Sequence, residues 1–149
     1  DERDVPQDTD VDFEVEILSL GTTAPCAAMP PFDCLEECDE KRKNGNIHFR
    51  SHNLPKAAQF YGAAIKAVSE LLSAFEKGTN EHDRVLRLMI DCGNNLGACH
   101  LKLGDFKKCE EACIAVLHLD LQNVKGLYRG GVASMMQDKF EEAGLAFKR

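Results

Sequence analysis

An all-α solenoid of stacked helix pairs is the fold this sequence predicts, and three observations predict it. The chain matches itself at a fixed offset, small residues recur at set places inside the match, and the apolar positions between them follow a helical period. Written 34 residues apart, NNLGACHLKLGDFKKCEEACIAVLHLD falls on YRGGVASMMQDKFEEAGLAFKR, pairing Gly97 with Gly131, Ala98 with Val132, Phe106 with Phe140 and Cys109 with Ala143.

That period is the tetratricopeptide one. An earlier copy fits NGNIHFRSHNLPKAAQFYGAAI, with Gly45 in the Gly97 place, Leu54 in that of Phe106, Ala57 in that of Cys109 and Ala64 in that of Val116. Gly45 and Gly97 lie 52 residues apart, so the first repeat carries about 18 extra residues. The expectation is about three helix-pair repeats, the third cut short at Arg149, about eight residues before its period closes.

Each element has a local reason to form. Asn53 is placed to cap the second helix of the first repeat, with Pro55 in its first turn; Asp105 caps the next, and Asp138 or Lys139 begins the last. Cys109, Ala112, Cys113, Val116 and Leu117 make an apolar stripe of helical spacing, so the unit is amphipathic and must stack. The extra residues, within SELLSAFEKGTNEHDRVLRLMI, are expected to lengthen both facing helices around a turn at Lys77 to Asn80, where Gly78 ends one helix and Asn80 caps the next.

The opening of the chain differs. Val11, Phe13, Val15 and Ile17 alternate with Asp12, Glu14 and Glu16, the period of a half-buried strand, before Leu18 and Leu20 slip to the other parity. A lone strand does not stand by itself. GTTAPCAAMPPF then reads as linker, which divides the chain into a remnant strand at 1–20, a linker at 21–32 and a helical-repeat domain at 33–149.

Charge follows the same division. Residues 1–40 hold thirteen acids and one base, whereas residues 41–149 hold twelve acids and seventeen bases, a surplus of +5. That surplus is too dilute for a nucleic-acid footprint and better suits an acidic peptide. No apolar run approaches membrane-spanning length, and no basic stretch followed by an apolar one stands in the first residues of the sequence, so neither a membrane span nor export is expected within residues 1–149. Seven cysteines, an odd number without the spacing of a disulfide framework, point to a reducing compartment, the cytosol, with the thiols reduced.

Lys125 and Arg129 stand four apart on one helix face, where like charges repel. Arg42 and Asn46 are a second such pair, and Asn46 and Asn95 are poor helix-interior residues whose placement a ligand would explain. A peptide ending in Asp offers two carboxylates close together, which a like-charged doublet could hold. The competing reading is a solvated face. Asn95 has Asn94 beside it; the repeat register favours Asn95, two before Gly97, and leaves Asn94 as a surface residue.

Zinc through Cys34 and Cys38, through Cys109 and Cys113, or through His48 and His52 is a weaker reading than packing. A structural site needs four converging ligands and a helical pair supplies two. His100 falls where the repeat favours an aromatic and is expected to pack. No metal and no cofactor is expected.

VPQDTDVDFEVEILSL resembles the last strand of an FK506-binding-protein isomerase domain, and KNGNIHF, NNLGACHLKLGDF and VKGLYRGG resemble the tetratricopeptide region that follows it in large immunophilins. RKNGN, with CGNNLGACHLKL, is most similar to the member anchored in the mitochondrial outer membrane, whose apolar C-terminal helix has no counterpart in residues 1–149. The resemblance implies a carboxylate clamp for the Glu-Glu-Val-Asp terminus of Hsp90 or Hsp70, formed by Arg42, Asn46, Asn95, Lys125 and Arg129. Arg42 stands where the family usually has Lys, which changes geometry more than sign.

Two functions stay in contention: an adaptor for acidic chaperone termini, and a tetratricopeptide scaffold that binds other peptides or helices without a terminal carboxylate. The parent protein is expected to be a peptidyl-prolyl isomerase, but this chain lacks the isomerase pocket and is not expected to be an enzyme. An uncovered stripe from Phe140, Ala143 and Phe147 in the last repeat predicts self-association, or weak order after Asp138.

Overall fold

A computed structural model of the chain describes residues 28–137, and all of its regular structure there is helical. Five helices follow one another: α1 (Pro31–Arg50), α2 (Leu54–Ser69), α3 (Asn80–Leu103), α4 (Phe106–Leu119) and α5 (Val124–Met136). Each packs on the next, and α3 also touches both α1 and α5, so the odd-numbered helices share one layer and α2 and α4 another. This is the all-α tetratricopeptide solenoid that the repeat predicts.

The helix starts are written in their first residues. Asp105 accepts the Lys108 N–H at 3.3 Å and Asn123 accepts the Gly126 N–H at 2.9 Å, contacts that satisfy donors a helix start leaves open. Asn53 takes the N-cap place of α2, with Pro55 in the first turn, although its side chain makes no capping bond. Gly104, in the left-handed region at φ 79°, ends α3, and its N–H reaches the Leu101 carbonyl at 3.2 Å.

Two expectations about boundaries change. Only α3 is lengthened by the extra residues of the first repeat: α2 stops at Ser69, and residues 70–79 are a run of turns. Those turns lay Leu71 into the core and bring Leu72 and Phe75 against it, so the apolar residues of this stretch are covered although α2 has ended. The α3 cap is Thr79, not Asn80, because the Thr79 hydroxyl is the group that accepts the His82 N–H, at 3.2 Å. At the other end, α1 begins at Pro31, inside the stretch read as linker, since proline's fixed φ suits a first helical position.

The main core lies among α1, α2 and α3, where Leu35, Cys38, Tyr61, Val68, Val85 and Cys92 are buried. A smaller cluster of Cys109, Cys113 and Ala133, flanked by Leu101 and Phe106, joins α4 and α5 to α3. Gly45 lets α1 and α2 approach: a Cβ there would lie 2.7 Å from Cε1 of the Tyr61 ring. Gly93 does the same for α3 and α4, where a Cβ would lie 2.5 Å from Cγ2 of Val116.

Five cysteines, Cys38, Cys92, Cys99, Cys109 and Cys113, are free and buried. Cys34 is disulfide-bonded, so the expectation of reduced thiols throughout fails at that residue. Among the described residues no helix is long and apolar enough to cross a membrane. The strand read at 11–17, the helix start at Asp138 or Lys139, and the stripe of Phe140, Ala143 and Phe147 lie outside the described residues.

Candidate functional site

The five candidate residues sit on the three helices of one layer: Arg42 and Asn46 on α1, Asn95 on α3, Lys125 and Arg129 on α5. Asn46 is the hub. Its Oδ1 accepts the Tyr61 hydroxyl at 2.6 Å and the Asn95 Nδ2 at 3.4 Å, which ties α1 to α2 and to α3. Burial, the largest cause, pushes the Tyr61 hydroxyl up to about 12, so it stays protonated and keeps donating at neutral pH. With both donors on Oδ1, the Asn46 amide must present its Nδ2 to whatever else enters the site, and an N–H donor calls for an acceptor.

Arg129 reaches from α5 to α3, where its Nη1 donates to the Asn94 carbonyl at 2.9 Å, one residue from Asn95. Its own carbonyl accepts the Cys109 thiol at 3.8 Å. A continuous line of contacts therefore runs from Tyr61 through Asn46 and Asn95 to the turn of α3 that holds Arg129. Lys125, one turn earlier on α5, is exposed. Among the described residues neither Lys125 nor Arg129 makes an ion pair, so no described carboxylate spends their charge.

Arg42 is placed differently. Its Nε donates to Asp39 Oδ1 at 2.9 Å within α1, and it makes no hydrogen bond to the other four candidates. Asn46, Asn95 and Arg129 are thus joined by direct or adjacent contacts, while Arg42 and Lys125 flank them.

Three residues of the site escaped the sequence reading. Tyr61, which fixes the Asn46 amide, lies 15 residues away and reads as a repeat aromatic. Asn94 is buried, not a surface residue; its carbonyl holds Arg129, and its Oδ1 is enclosed without a hydrogen-bond partner among the described residues. Asp39 carried a legible signal, an acid three residues before an arginine on a helix.

Of the residues weighed for zinc, Cys38, Cys109, Cys113 and His48 are buried. His48 is buried with its ring stacked on Phe60 at 5.6 Å, and His52 occupies a left-handed turn position at φ 63°. Burial, chiefly, raises the Cys38 thiol to about 11, whereas the hydrogen bond between Cys109 and Cys113 lowers the first thiol and raises the second. His100 is lowered mainly by burial, consistent with a packed imidazole. Among the described residues no group of three or more His, Cys, Asp or Glu is gathered as metal ligands would be.

Helix pairs of this period, with polar and basic side chains gathered on one layer of helices, define the molecule as a tetratricopeptide-repeat domain. The chain is similar to the C-terminal TPR-containing domain of a Plasmodium falciparum FK506-binding protein, with 25% identity and a TM-score of 0.75 over 81% of this chain and 79% of that one. It is 28% identical over 145 residues to the human peptidyl-prolyl cis-trans isomerase FKBP4, a match covering 97% of this chain and 31% of that protein; the bovine protein gives the same figures. The chain thus spans about a third of the length of the curated relatives it matches. The fold is shared with the second TPR of Spaghetti (RPAP3), solved with the Hsp90 peptide SRMEEVD, at 21% identity, a TM-score of 0.59 and coverage of 76% and 89%. It is shared also with the Saccharomyces cerevisiae Hsp90 co-chaperone Cns1, at 23% identity, a TM-score of 0.61 and coverage of 80% and 33%. No family model matches the chain.

Proposed function

We propose that this domain is the partner-binding module of an immunophilin co-chaperone, and that it holds the acidic C-terminal peptide of Hsp90 or Hsp70 in a carboxylate clamp of Arg42, Asn46, Asn95, Lys125 and Arg129. The observation that carries the reading is the Asn46 amide: its oxygen is taken by Tyr61 and Asn95, which leaves an N–H donor between two cationic flanks. A carboxylate is the ligand that such a set of donors favours. The likeness to FKBP4 and to TPR domains of Hsp90-binding proteins supports the same reading.

On this proposal the parent protein is a peptidyl-prolyl isomerase that works on the cytosolic side, and this chain contributes recognition and not catalysis. Self-association has its support in the exposed Val124, Tyr128, Met135 and Met136 of α5. The deciding experiment is calorimetric titration with a peptide ending in Glu-Glu-Val-Asp and with its C-terminally amidated twin. The clamp requires the free acid to bind much more tightly; equal binding of the two would leave the alternative, a tetratricopeptide scaffold for other peptides or helices.

A further inference from the structure

The two ends of the proposed clamp differ in charge, and the difference lies in one side chain. At the α5 end, Lys125 and Arg129 have no carboxylate paired with them among the described residues, and Arg129 is held by a neutral carbonyl. At the α1 end, Arg42 is already engaged by Asp39, whose Oδ1 lies 2.9 Å from its Nε and whose Oδ2 lies 3.5 Å from Lys43 Nζ. Both members of the Arg42–Asp39 pair are partly withdrawn from water, with side chains 26% and 19% exposed, so their interaction is less screened than that of a free surface pair.

We infer that Asp39 is an affinity-limiting residue of the peptide site: an internal carboxylate that partly neutralises Arg42 and so weakens the hold of the α1 end on an acidic ligand. The inference rests on the clamp reading. Arginine makes the arrangement possible, because it can give Nε to Asp39 and keep its terminal Nη donors for a second anion, whereas a lysine has one ammonium for both. Asp39 stays ionised at neutral pH: burial alone would raise its pKa, but the hydrogen bonds and charges of Arg42 and Lys43 together lower it. A ligand carboxylate that reaches Arg42 therefore meets a fixed negative charge on the far side of the same guanidinium.

The effect on binding follows from Coulomb's law. A unit charge roughly 6 Å from a ligand carboxylate in a half-wet groove alters affinity by about three- to tenfold. Orienting Arg42 works in the opposite sense, but without Asp39 the arginine keeps its charge and its place on α1, so the lost orientation is the smaller effect.

The test is calorimetry with the Glu-Glu-Val-Asp peptide on the wild-type chain, on Asp39→Asn and on Glu40→Gln, with Asp39→Ser as a second uncharged variant and circular dichroism melts for all. Glu40 is the control: it carries the same charge on the same helix, is 63% exposed and pairs with Lys43, not with Arg42. Asp39→Asn and Asp39→Ser should each bind about three- to tenfold more tightly, with the gain shrinking at high salt, and Glu40→Gln should change affinity less than about twofold. Unchanged or weaker binding by both Asp39 variants, or an equal gain from Glu40→Gln, overturns the inference. Failure of the wild-type chain to prefer the free acid over the amidated peptide would instead overturn the clamp beneath it.

Discussion

The hydroxyl of Tyr61 donates to the amide oxygen of Asn46 across the α1–α2 contact, at 2.6 Å, and with the Asn95 amide on the same oxygen it fixes which end of the Asn46 amide is left for the proposed peptide site. Tyr61 is itself 1% exposed, so its ring cannot swing away. A core residue thereby orients a side chain of the proposed clamp.

Tyr61→Phe keeps the ring and removes the donor. Asn46 is then free to rotate its amide and offer oxygen where nitrogen stood. The expected outcome is a loss of about 1 kcal/mol of stability, as for a typical hydrogen bond, with peptide binding weakened about three- to tenfold. Melting curves and calorimetry measure the two; an unchanged affinity would show that Tyr61 does not orient Asn46.

Lys125→Ala and Arg129→Ala test the clamp directly. Removing one partner of a desolvated charge contact costs about 2–5 kcal/mol, roughly 30-fold or more in affinity, whereas a solvated face charge costs under about 1 kcal/mol. Calorimetry at moderate salt separates the two ranges. Arg129→Ala also releases the Asn94 carbonyl, so its effect should equal or exceed that of Lys125→Ala.

Gly45→Ala should destabilise the domain by about 1–3 kcal/mol, since the new methyl would stand 2.7 Å from a buried ring that packing holds on every side. Gly62, with nothing near its missing Cβ, is the control: Gly62→Ala in the middle of α2 should stabilise by about 0.5–1 kcal/mol. Thermal unfolding of the two variants should move in opposite directions.

Burial raises the thiols of Cys38, Cys92 and Cys99 to about 11, 12 and 11, from 9.0. In the unfolded chain these groups ionise near pH 9, whereas in the fold they stay neutral two units or more further. Folding is therefore favoured fully below pH 9, and that contribution is lost as pH rises through 9 toward 11 and 12. The melting temperature should hold between pH 7 and 8.5 and then fall steadily, and Cys92→Ser should lessen the slope; a flat profile to pH 11 would contradict this account.

The repeat period, the small residues at Gly45, Gly93 and Gly97 and the caps at Asp105 and Asn123 are local or periodic facts, so the chain's own sequence determined the helix pairs and their order. It determined also which side chains stand one turn apart, Arg42 with Asn46 and Lys125 with Arg129, because helical geometry fixes that spacing whatever the helices pack against. Only the tertiary structure decided the rest. That residues 70–79 turn and do not extend α2 is not legible in the periodicity, because Leu71, Leu72 and Phe75 continue the apolar stripe of α2 and the structure packs them on the core without a longer helix. The orientation of the Asn46 amide depended on Tyr61 and Asn95, and the reach of Arg129 on a carbonyl 35 residues earlier. Hydrogen bonds of that kind join groups that no period brings together, so they exist only once packing has brought the helices into contact.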